Sequence, residues 1–454
     1  MVRNFDINGK TIHFVGIGGT GVSALASIAI DRRCKVQGSD TSKSKYTDEL
    51  EKKGCKIYFG HSVENISDNI DLLVYSGAIK KDNPELVEAS RKGIKCMSRS
   101  QFLGLITSGF ENLIAVAGSH GKTTTTSMLT SIMIDAKKNP TAIIGAYFEK
   151  IKGNSISGNS DIAICESCEF LDSFLDLNPK IGVILNVDND HLDYFKNIEN
   201  EKESFLKFAQ KCKIVVVNRD DKNAYEISKK LKDQKIIYYG LNQESEFSAS
   251  DISIDSGYPK FTVNRNGKKI LELKLKVPGK HNILNSLASI AVCSLFDVDY
   301  NVLKESLENF SGAERRFRFL GNLKGISIFD DYAHHPSEIK AVLESAKNMN
   351  FNKIWAIFQP HTFSRTYLLM DDFAKSLSLA DNLIITDILP VREVNTYGVT
   401  SEDLSKKIPG SKVIKNFEDI ADYLISNAKS GDMIITIGAG NIYKCAEMIY
   451  DKLK

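Results

Sequence analysis

The chain has 454 residues, of which 42% are hydrophobic and 26% are charged, and its formal net charge is +2. This composition is that of an ordinary globular protein, and the balanced charge does not indicate nucleic-acid binding. The start of the chain lacks an apolar signal core, and no run of about 20 apolar residues occurs. We therefore expect no membrane span and a cytoplasmic protein. At roughly 150 residues a domain, the length predicts three domains, which we place at 1–108, 109–312 and 313–454.

The first apolar strand leads into a glycine-rich turn. Residues 11–15 are predicted as strand and residues 22–30 as helix, and Gly16, Gly18 and Gly21 between them have G-x-G-x-x-G spacing. Such glycines allow a tight turn and the close approach of a diphosphate. Further strands are predicted near 35–38, which ends at Ser39-Asp40, and over 71–75. This alternation predicts a doubly wound parallel sheet.

Three interpretations of this turn remain open on the residues alone. Together with Asp40, it is typical of an NAD-dependent oxidoreductase. Any other nucleotide diphosphate can use the same turn, and glycines also occur where a strand merely bends into a helix.

A second glycine loop follows the strand predicted over 113–117 and precedes a helix predicted over 124–136. Its sequence, Gly-Ser-His-Gly-Lys-Thr from Gly118 to Thr123, predicts a phosphate cradle of backbone N–H groups at a helix N-terminus. Lys122 can reach terminal phosphates, and the Thr123 hydroxyl can hold Mg²⁺. The spacing departs from the common nucleotide-binding loop, because two residues rather than four separate its glycines.

Acidic and polar residues follow the next strands of this block, predicted near 161–165, 181–185 and 214–217. Glu166 is well placed as a second Mg²⁺ ligand, with Glu169 as its alternative. His191 lies in a polar segment after a strand and could bind a divalent ion or orient a phosphate. Cys165 and Cys168 form a lone C-x-x-C pair among eight scattered cysteines, and we expect buried thiols there.

The end of the second block combines a hairpin with a polar helix start. Residues 260–277 alternate in polarity around Asn266-Gly267, which predicts a small antiparallel piece. Asn282 and Asn285 lie three apart on one face of the following helix, so both amides could contact one base edge. The alternative is that Asn282 caps the helix.

The third block contains strands predicted near 326–329, 354–358, 383–386 and 433–437, which indicates another parallel α/β unit. Polar clusters again stand at strand ends, from Asp330 to Pro336 and from Gln359 to Thr366. Arg316, at the start of this block, could reach a transferring phosphate.

These motifs, in this order, resemble those of the Mur ligases of peptidoglycan synthesis. The resemblance covers essentially the whole chain, and the shortened phosphate loop is itself the form that this family uses. The matching segments are Gly16–Gly21, Gly118–Thr125, Asn186–Asp193, Pro278–Asn285, Arg315–Phe317 and Asp330–Pro336.

The resemblance implies an α/β fold of three domains and the use of ATP and Mg²⁺. The amino-terminal domain would be a Rossmann-like UDP-binding domain. The central one would be a P-loop ATPase-like domain with a parallel sheet, and the carboxy-terminal one Rossmann-like α/β. The implied substrates are UDP-N-acetylmuramate and L-alanine, with a murein tripeptide as the alternative acceptor. We expect a monomer or weak homodimer that binds neither nucleic acid nor membrane.

The resemblance also implies roles for individual residues. The expected catalytic residues are Lys122, His191, Arg316 and His334. The expected ATP-binding residues are Gly118, Ser119, His120, Gly121, Lys122, Thr123, Thr124, Asn282, Asn285, Arg316 and Asp331. The expected metal ligands are Thr123, Glu166 and His191. The expected UDP-sugar residues are Gly16, Gly18, Gly19, Thr20, Gly21, Ser39, Asp40, His61 and Ser76. Those expected at the muramate and amino-acid end are Tyr332, His334, His361 and Arg365.

The sequence departs from the family pattern at two positions. Ser119 replaces the usual threonine and keeps a hydroxyl group. Thr362 stands where many of these ligases carry arginine, so Arg365 would anchor the substrate alone. The carbamylated lysine of the family is not assignable between Lys202 and Lys207.

Overall fold

The computed structural model describes residues 6–189, 192–391 and 393–454. They form a three-domain α/β fold built on parallel and mixed sheets, as predicted. The chain divides into two compact units: the first comprises residues 1–189, 197–246 and 288–303, and the second comprises 190–196, 247–287 and 304–454. Among the described residues, none of the helices combines the length and apolarity needed to cross a membrane.

The first sheet has five parallel strands in the order β3-β2-β1-β4-β5. Its elements are β1 (Thr11–Val15), α1 (Thr20–Asp31), β2 (Lys35–Asp40), α2 (Lys45–Lys52), β3 (Lys56–Phe59), β4 (Leu72–Tyr75), α3 (Pro84–Arg91), β5 (Lys95–Ser98) and α4 (Arg99–Thr107). The strand order reverses between β1 and β4, and ligands of open α/β sheets bind at the carboxyl ends of strands beside such a reversal.

The second sheet continues the first unit, although residues 192–195 of its chain segment belong to the second unit. Its chain segment contains β6 (Asn112–Ala117), α5 (Lys122–Asp135), β7 (Thr141–Phe148), β8 (Gly153–Ile156), β9 (Ile162–Glu166), β10 (Ile181–Ile184), α6 (Leu192–Phe195), α7 (Ile198–Gln210), β11 (Ile214–Asn218), α8 (Lys222–Ser228) and β12 (Lys235–Gly240). The strands run β12-β11-β10-β6-β9-β7-β8. All neighbours pair in parallel except β7 and β8, which form an antiparallel edge.

Within the first unit, the two sheets are joined by direct contacts. The Asn154 amide of β8 donates to Thr20 O at 2.6 Å and to Ser23 Oγ at 2.9 Å, both on α1. On α4, a Cβ at Gly104 would lie 2.4 Å from Asp176 O, so only glycine allows this approach. The glycine loop after β1 is therefore held against the second sheet.

The chain from Phe247 onward begins with an antiparallel hairpin, as predicted. This part of the chain belongs to the second unit except for residues 288–303, which belong to the first. Its elements are β13 (Phe247–Asp255), β14 (Tyr258–Arg265), β15 (Lys268–Lys274), α9 (His281–Cys293), α10 (Tyr300–Glu308), β16 (Arg318–Leu323), β17 (Ile326–Asp331), α11 (Pro336–Lys347), β18 (Ile354–Phe358), α12 (Phe363–Leu368), α13 (Met370–Leu377), β19 (Asn382–Ile385), α14 (Ser401–Lys406), β20 (Lys412–Val413), α15 (Phe417–Asn427), β21 (Met433–Ile437) and α16 (Tyr443–Leu453). Asn266 and Gly267 both have positive φ, 49° and 73°, as a two-residue hairpin turn requires.

The third sheet runs β16-β17-β21-β18-β19-β20. It is parallel except for β16, an edge strand antiparallel to β17. Alternate residues of its strands pack into two separate cores, one containing Phe329 and Ile435 and the other containing Ile328 and Ile434. Both faces of this sheet are thus covered, as is usual for a doubly wound fold.

Candidate functional site

The amino-terminal glycine loop is fixed by the end of the neighbouring strand β2. Gly16 and Ile17 donate their amides to Ser39 O at 2.8 and 3.0 Å, and Gly16 has a φ of 78°. The Gly18 amide donates to Asp40 Oδ2 at 2.8 Å. Asp40, predicted as a ligand residue, therefore also holds the turn.

The other residues predicted for the UDP sugar surround this turn. Gly19 donates to Gly16 O at 3.2 Å, and α1 begins at Thr20. Ser76 follows β4, with its Cβ 3.2 Å from an ideal Cβ at Gly16. His61 follows β3, and its Nδ1 lies 3.0 Å from Ser39 Oγ. The structure brings these predicted residues together at one edge of the first sheet.

A buried carboxylate that the sequence did not reveal lies beneath this edge. Glu85 on α3 accepts hydrogen bonds from Ser39 Oγ at 2.5 Å and Asn65 Nδ2 at 2.6 Å. His13 Nε2 lies 3.5 Å and His61 Nδ1 3.4 Å from the same carboxylate. Burial alone would raise the pKa of Glu85, but the hydrogen bonds from His13, Ser39 and Asn65 outweigh it and lower that pKa to about 2.

The second glycine loop is hydrogen-bonded to Asn186, in the segment that follows β10. Ser119 N donates to Asn186 O at 3.1 Å and His120 N to Asn186 Oδ1 at 2.8 Å. The Asn186 amide donates back to His120 O at 3.0 Å. Gly121 has a φ of 85° and precedes α5. The loop thus ends on a helix N-terminus, the arrangement that favours a bound anion.

Lys122, the predicted phosphate-binding lysine, forms an ion pair with Glu169. Its Nζ lies 3.0 Å from each Glu169 carboxylate oxygen and donates to Ser119 O at 3.1 Å. The Glu169 side chain is only 1% exposed. Glu169, which we considered as an alternative metal ligand, is therefore the counter-ion of this lysine.

The residues predicted to hold a metal ion are only partly described. Thr123 is buried at the start of α5, next to Thr124. Glu166 ends β9 and accepts the Gly145 amide at 2.5 Å through Oε1. His191 lies outside the described residues. Hydroxyl and carboxylate oxygens such as those of Thr123 and Glu166 are the donors that Mg²⁺ prefers.

Helix α7 brings an acidic residue to the phosphate loop and carries both candidate carbamate lysines. Glu201 is buried, and its Oε1 lies 3.4 Å from Ser119 Oγ. Lys202 donates to Glu226 at 2.6 Å, and Lys207 pairs with Glu203 at 2.9 Å. These bonds raise the pKa of both lysines.

In the second unit, the two predicted adenine-binding amides are hydrogen-bonded to each other. Asn285 Nδ2 donates to Asn282 Oδ1 at 2.9 Å, and Asn282 Nδ2 donates to Pro278 O at 2.7 Å. Both side chains are buried at the start of α9. Asn282 lies inside the helix, which begins at His281, so the alternative that it is the helix N-cap is wrong.

The polar cluster at the end of β17 is also assembled by the fold. Asp331 is buried and accepts the amides of Phe317 at 2.6 Å and Ala333 at 2.7 Å. Burial raises the pKa of Asp331 to about 6, against the lowering effect of the Arg316 charge. The Arg316 guanidinium lies 5.1 Å above the Tyr332 ring.

The four residues predicted for the muramate and amino-acid end form a continuous row. The Tyr332 and His334 rings are 5.5 Å apart, as are those of His334 and His361. Arg365 Nη1 lies 3.3 Å from His361 Nδ1. Thr362 lies between His361 and Arg365 in the sequence and has a φ of 70°. Its hydroxyl accepts the Arg365 amide at 3.4 Å, so it caps α12. His335, the second histidine of the pair, caps α11.

The fold and these clusters define a multidomain α/β nucleotide-binding protein. Comparison with known families matches residues 11–111 to the catalytic domain of the Mur ligase family, 116–293 to the Mur ligase middle domain and 315–440 to the Mur ligase glutamate ligase domain. The chain belongs to the Mur ligase family, and it is an ATP-dependent ligase.

Individual relatives are similar to this protein over nearly the whole chain. A UDP-N-acetylmuramate–L-alanine ligase of Caldicellulosiruptor saccharolyticus is 46% identical over 96% of this chain and 98% of its own. One of Clostridium novyi is 45% identical over 98% of both. The crystal structure of the Thermotoga maritima UDP-N-acetylmuramate-alanine ligase matches with a TM-score of 0.84 and 30% identity, over 97% of this chain and 98% of that one. A murein peptide ligase of Psychrobacter arcticus matches with a TM-score of 0.76 and 25% identity, over 98% and 99%.

Proposed function

We propose that this protein joins L-alanine to the carboxylate of UDP-N-acetylmuramate at the expense of ATP. The main support is that relatives named for this reaction are 45–46% identical over nearly the full chain. The murein peptide ligase structure, which represents the alternative tripeptide acceptor, is 25% identical. We assign the sugar nucleotide to residues 1–108, ATP to 109–312 and the amino acid to 313–454.

The proposed chemistry activates a poor acyl donor. The muramate carboxylate attacks the γ-phosphorus of ATP, ADP leaves, and an acyl phosphate forms. The amine of L-alanine then attacks the acyl carbon, and phosphate leaves as the amine loses a proton. The protein's task is to position the reactants and neutralise crowded oxyanions.

Residues of the second glycine loop and of the β17 cluster would share that task. Lys122 would contact the β- and γ-phosphates, and its pairing with buried Glu169 supports this by fixing its position. Arg316 would contact the γ-phosphate and Asp331 the ribose, with Asn282 and Asn285 at the adenine. Tyr332, His334, His361 and Arg365 would contact the muramate and alanine end.

Mg²⁺ would be held by Thr123 and Glu166, with His191 as a further ligand by family resemblance. It would supply positive charge against the phosphate oxygens. The oxygen donors of Thr123 and Glu166 fit such a hard cation.

The test is phosphate release from ATP with UDP-N-acetylmuramate and L-alanine, added separately and together. We expect release only with both, together with a UDP-muramoyl-alanine product. Release with a tripeptide but not with alanine would reassign the protein to the recycling reaction. No release with either acceptor would reject the proposed function.

The role of Lys122 has its own test. Lys122→Met should abolish phosphate release, and it also removes the cation that pairs with the buried Glu169 carboxylate. The fold should therefore lose about 3–5 kcal/mol of stability, which the companion change Glu169→Gln should partly restore without restoring activity. A stable double variant with normal turnover would contradict the assignment of Lys122.

A further inference from the structure

Arg99 is a cation at the edge of the amino-terminal glycine loop. Strand register aligns Val15 with Tyr75 and Tyr75 with Ser98, so the residues that follow β1, β4 and β5 lie side by side. Arg99 is the residue after β5. An ideal Cβ at Gly21 would lie 3.1 Å from its Nη1 and 3.2 Å from its Cδ, so the side chain rests on the loop.

This position is electrostatically unfavourable for arginine without a ligand. Arg99 is the first residue of α4, where the helix dipole disfavours positive charge. Within the described part of the chain, its half-buried side chain makes no hydrogen bond or ion pair. The acid that contacts the glycine loop, Asp40, accepts the amides of Gly18 and Thr41, each at 2.8 Å.

Arg32, at the other end of α1, has partners of the kind that Arg99 lacks within the described ranges. Arg32 is also half-buried, but its guanidinium donates to Ile106 O at 3.1 Å and lies 5.4 Å from the centre of the Phe110 ring. Arg32 therefore has a backbone carbonyl and an aromatic ring as partners within the first unit. Among the described residues, Arg99 has neither kind of partner.

We propose that Arg99 binds the diphosphate of the sugar nucleotide, an inference that rests on the proposed function. Its guanidinium and the first amides of α1 flank the same point of the loop, at Gly21. A guanidinium forms two parallel hydrogen bonds with phosphate oxygens, and helix N-termini favour the same anion. The diphosphate is favoured over the muramate carboxylate because the contact is with the glycine loop itself.

The experiment measures the dissociation constants of UDP, UMP and UDP-N-acetylmuramate by titration calorimetry. Arg99→Met should weaken UDP and UDP-N-acetylmuramate by the same factor, about 10- to 100-fold, and UMP by less. Arg99→Lys should weaken them partially, because it keeps the charge without the planar fork, and it serves if Arg99→Met fails to fold. Arg32→Met, the matched control, should bind as the wild type does. The salt dependence of UDP binding should become shallower in Arg99→Met.

The outcomes separate this inference from the proposed function. If the wild type binds UDP and UDP-N-acetylmuramate but Arg99→Met binds them equally well, only the role of Arg99 is rejected. Loss confined to UDP-N-acetylmuramate would assign Arg99 to the carboxylate and overturn the diphosphate contact. If the wild type binds neither nucleotide, the proposed function fails as well.

Discussion

Arg315 and Arg316 are adjacent residues whose guanidinium groups both lie 5.1 Å from the centre of the Tyr332 ring. Arg315 donates to Asp330 Oδ2 at 2.9 Å, to Gly440 O at 2.9 Å and to Gly438 O at 2.6 Å. The Arg316 charge acts on Asp331 and His281 and lowers the pKa of both. The first arginine therefore joins strand ends of the third sheet, and the second stands at the proposed γ-phosphate position.

Substitution of the two arginines tests their separate roles. Arg316→Met should lower kcat by about 10³-fold or more, as expected for a charge that stabilises phosphoryl transfer. Arg315→Met should lower the free energy of unfolding by about 3–5 kcal/mol, because Asp330 stays buried without its cationic partner. Phosphate release and urea denaturation measure the two effects. A large loss of kcat in Arg315→Met and of stability in Arg316→Met would mean that Arg315 is the residue that contacts the nucleotide.

At the scale of single elements, α12 depends on a strained residue at its start. Thr362 has a φ of 70° and a ψ of 146°, a backbone conformation that is unfavourable for a β-branched residue. Its hydroxyl accepts the Arg365 amide at 3.4 Å, and Glu393 Oε2 accepts the Ser364 amide at 2.8 Å. Thr362 thus caps the helix that carries Arg365.

Loss of this cap should affect the amino-acid site. Thr362→Ala should cost about 1 kcal/mol of stability and raise the KM for L-alanine several-fold, because Arg365 loses its fixed position. Thr362→Ser keeps the hydroxyl and serves as the matched control, so it should behave like the wild type. Steady-state kinetics with varied L-alanine checks this. Equal kinetics for the alanine and serine variants would show that the hydroxyl does not position Arg365.

Helix α3 carries Glu85, whose low pKa makes the first sheet sensitive to acid. The pKa of Glu85 is about 2 in the folded chain and 4.5 as its ordinary value. The folded state therefore binds this proton less readily than the unfolded state, so the stabilisation is present above pH 4.5 and is lost as the pH falls toward 2.

Glu85→Gln removes this proton linkage. From pH 5.5 to pH 3, the wild type should lose about 2 kcal/mol more unfolding free energy than the variant does. Urea denaturation of both proteins at the two pH values measures the difference. Parallel losses in the two proteins would show that the Glu85 carboxylate is not held ionised by its partners.

Some elements could be predicted from the sequence and others could not, for physical reasons. Parallel strands with continuous apolar runs, such as β6, β10 and β18, and both glycine loops were predicted closely, because apolar runs and glycine spacing are local signals. The parallel strands β3, β5, β7 and β12 were missed. Strand β16 was missed, because its antiparallel pairing with β17 depends on a neighbour and not on its own pattern. Glu85 and Arg99 were missed for a similar reason: an acid or an arginine in the first turn of a helix is ordinary until the fold shows what it faces.

At the scale of the whole molecule, seven of the cysteines lie in the first unit and Cys445 lies in the second. All eight are free, and six of them are buried. Burial raises the pKa of Cys34 to about 11 and that of Cys445 to about 12. Because thiolates are the reactive form, a thiol reagent should reach these two positions only when the surrounding structure opens.

Thiol labelling should therefore report which part of the chain a nucleotide stabilises. UDP at 100 times its dissociation constant adds about 2.7 kcal/mol to any opening that releases it, which is about a 100-fold slower reaction. We expect this slowing at Cys34, beside β2 of the first sheet, and not at Cys445 on α16 of the second unit. Mass spectrometry after timed alkylation reads both sites, and protein unfolded in urea, where UDP should have no effect, is the control. Equal slowing at Cys34 and Cys445 would mean that the two units open together, because protection by a ligand spreads only as far as the cooperative unit that binds it.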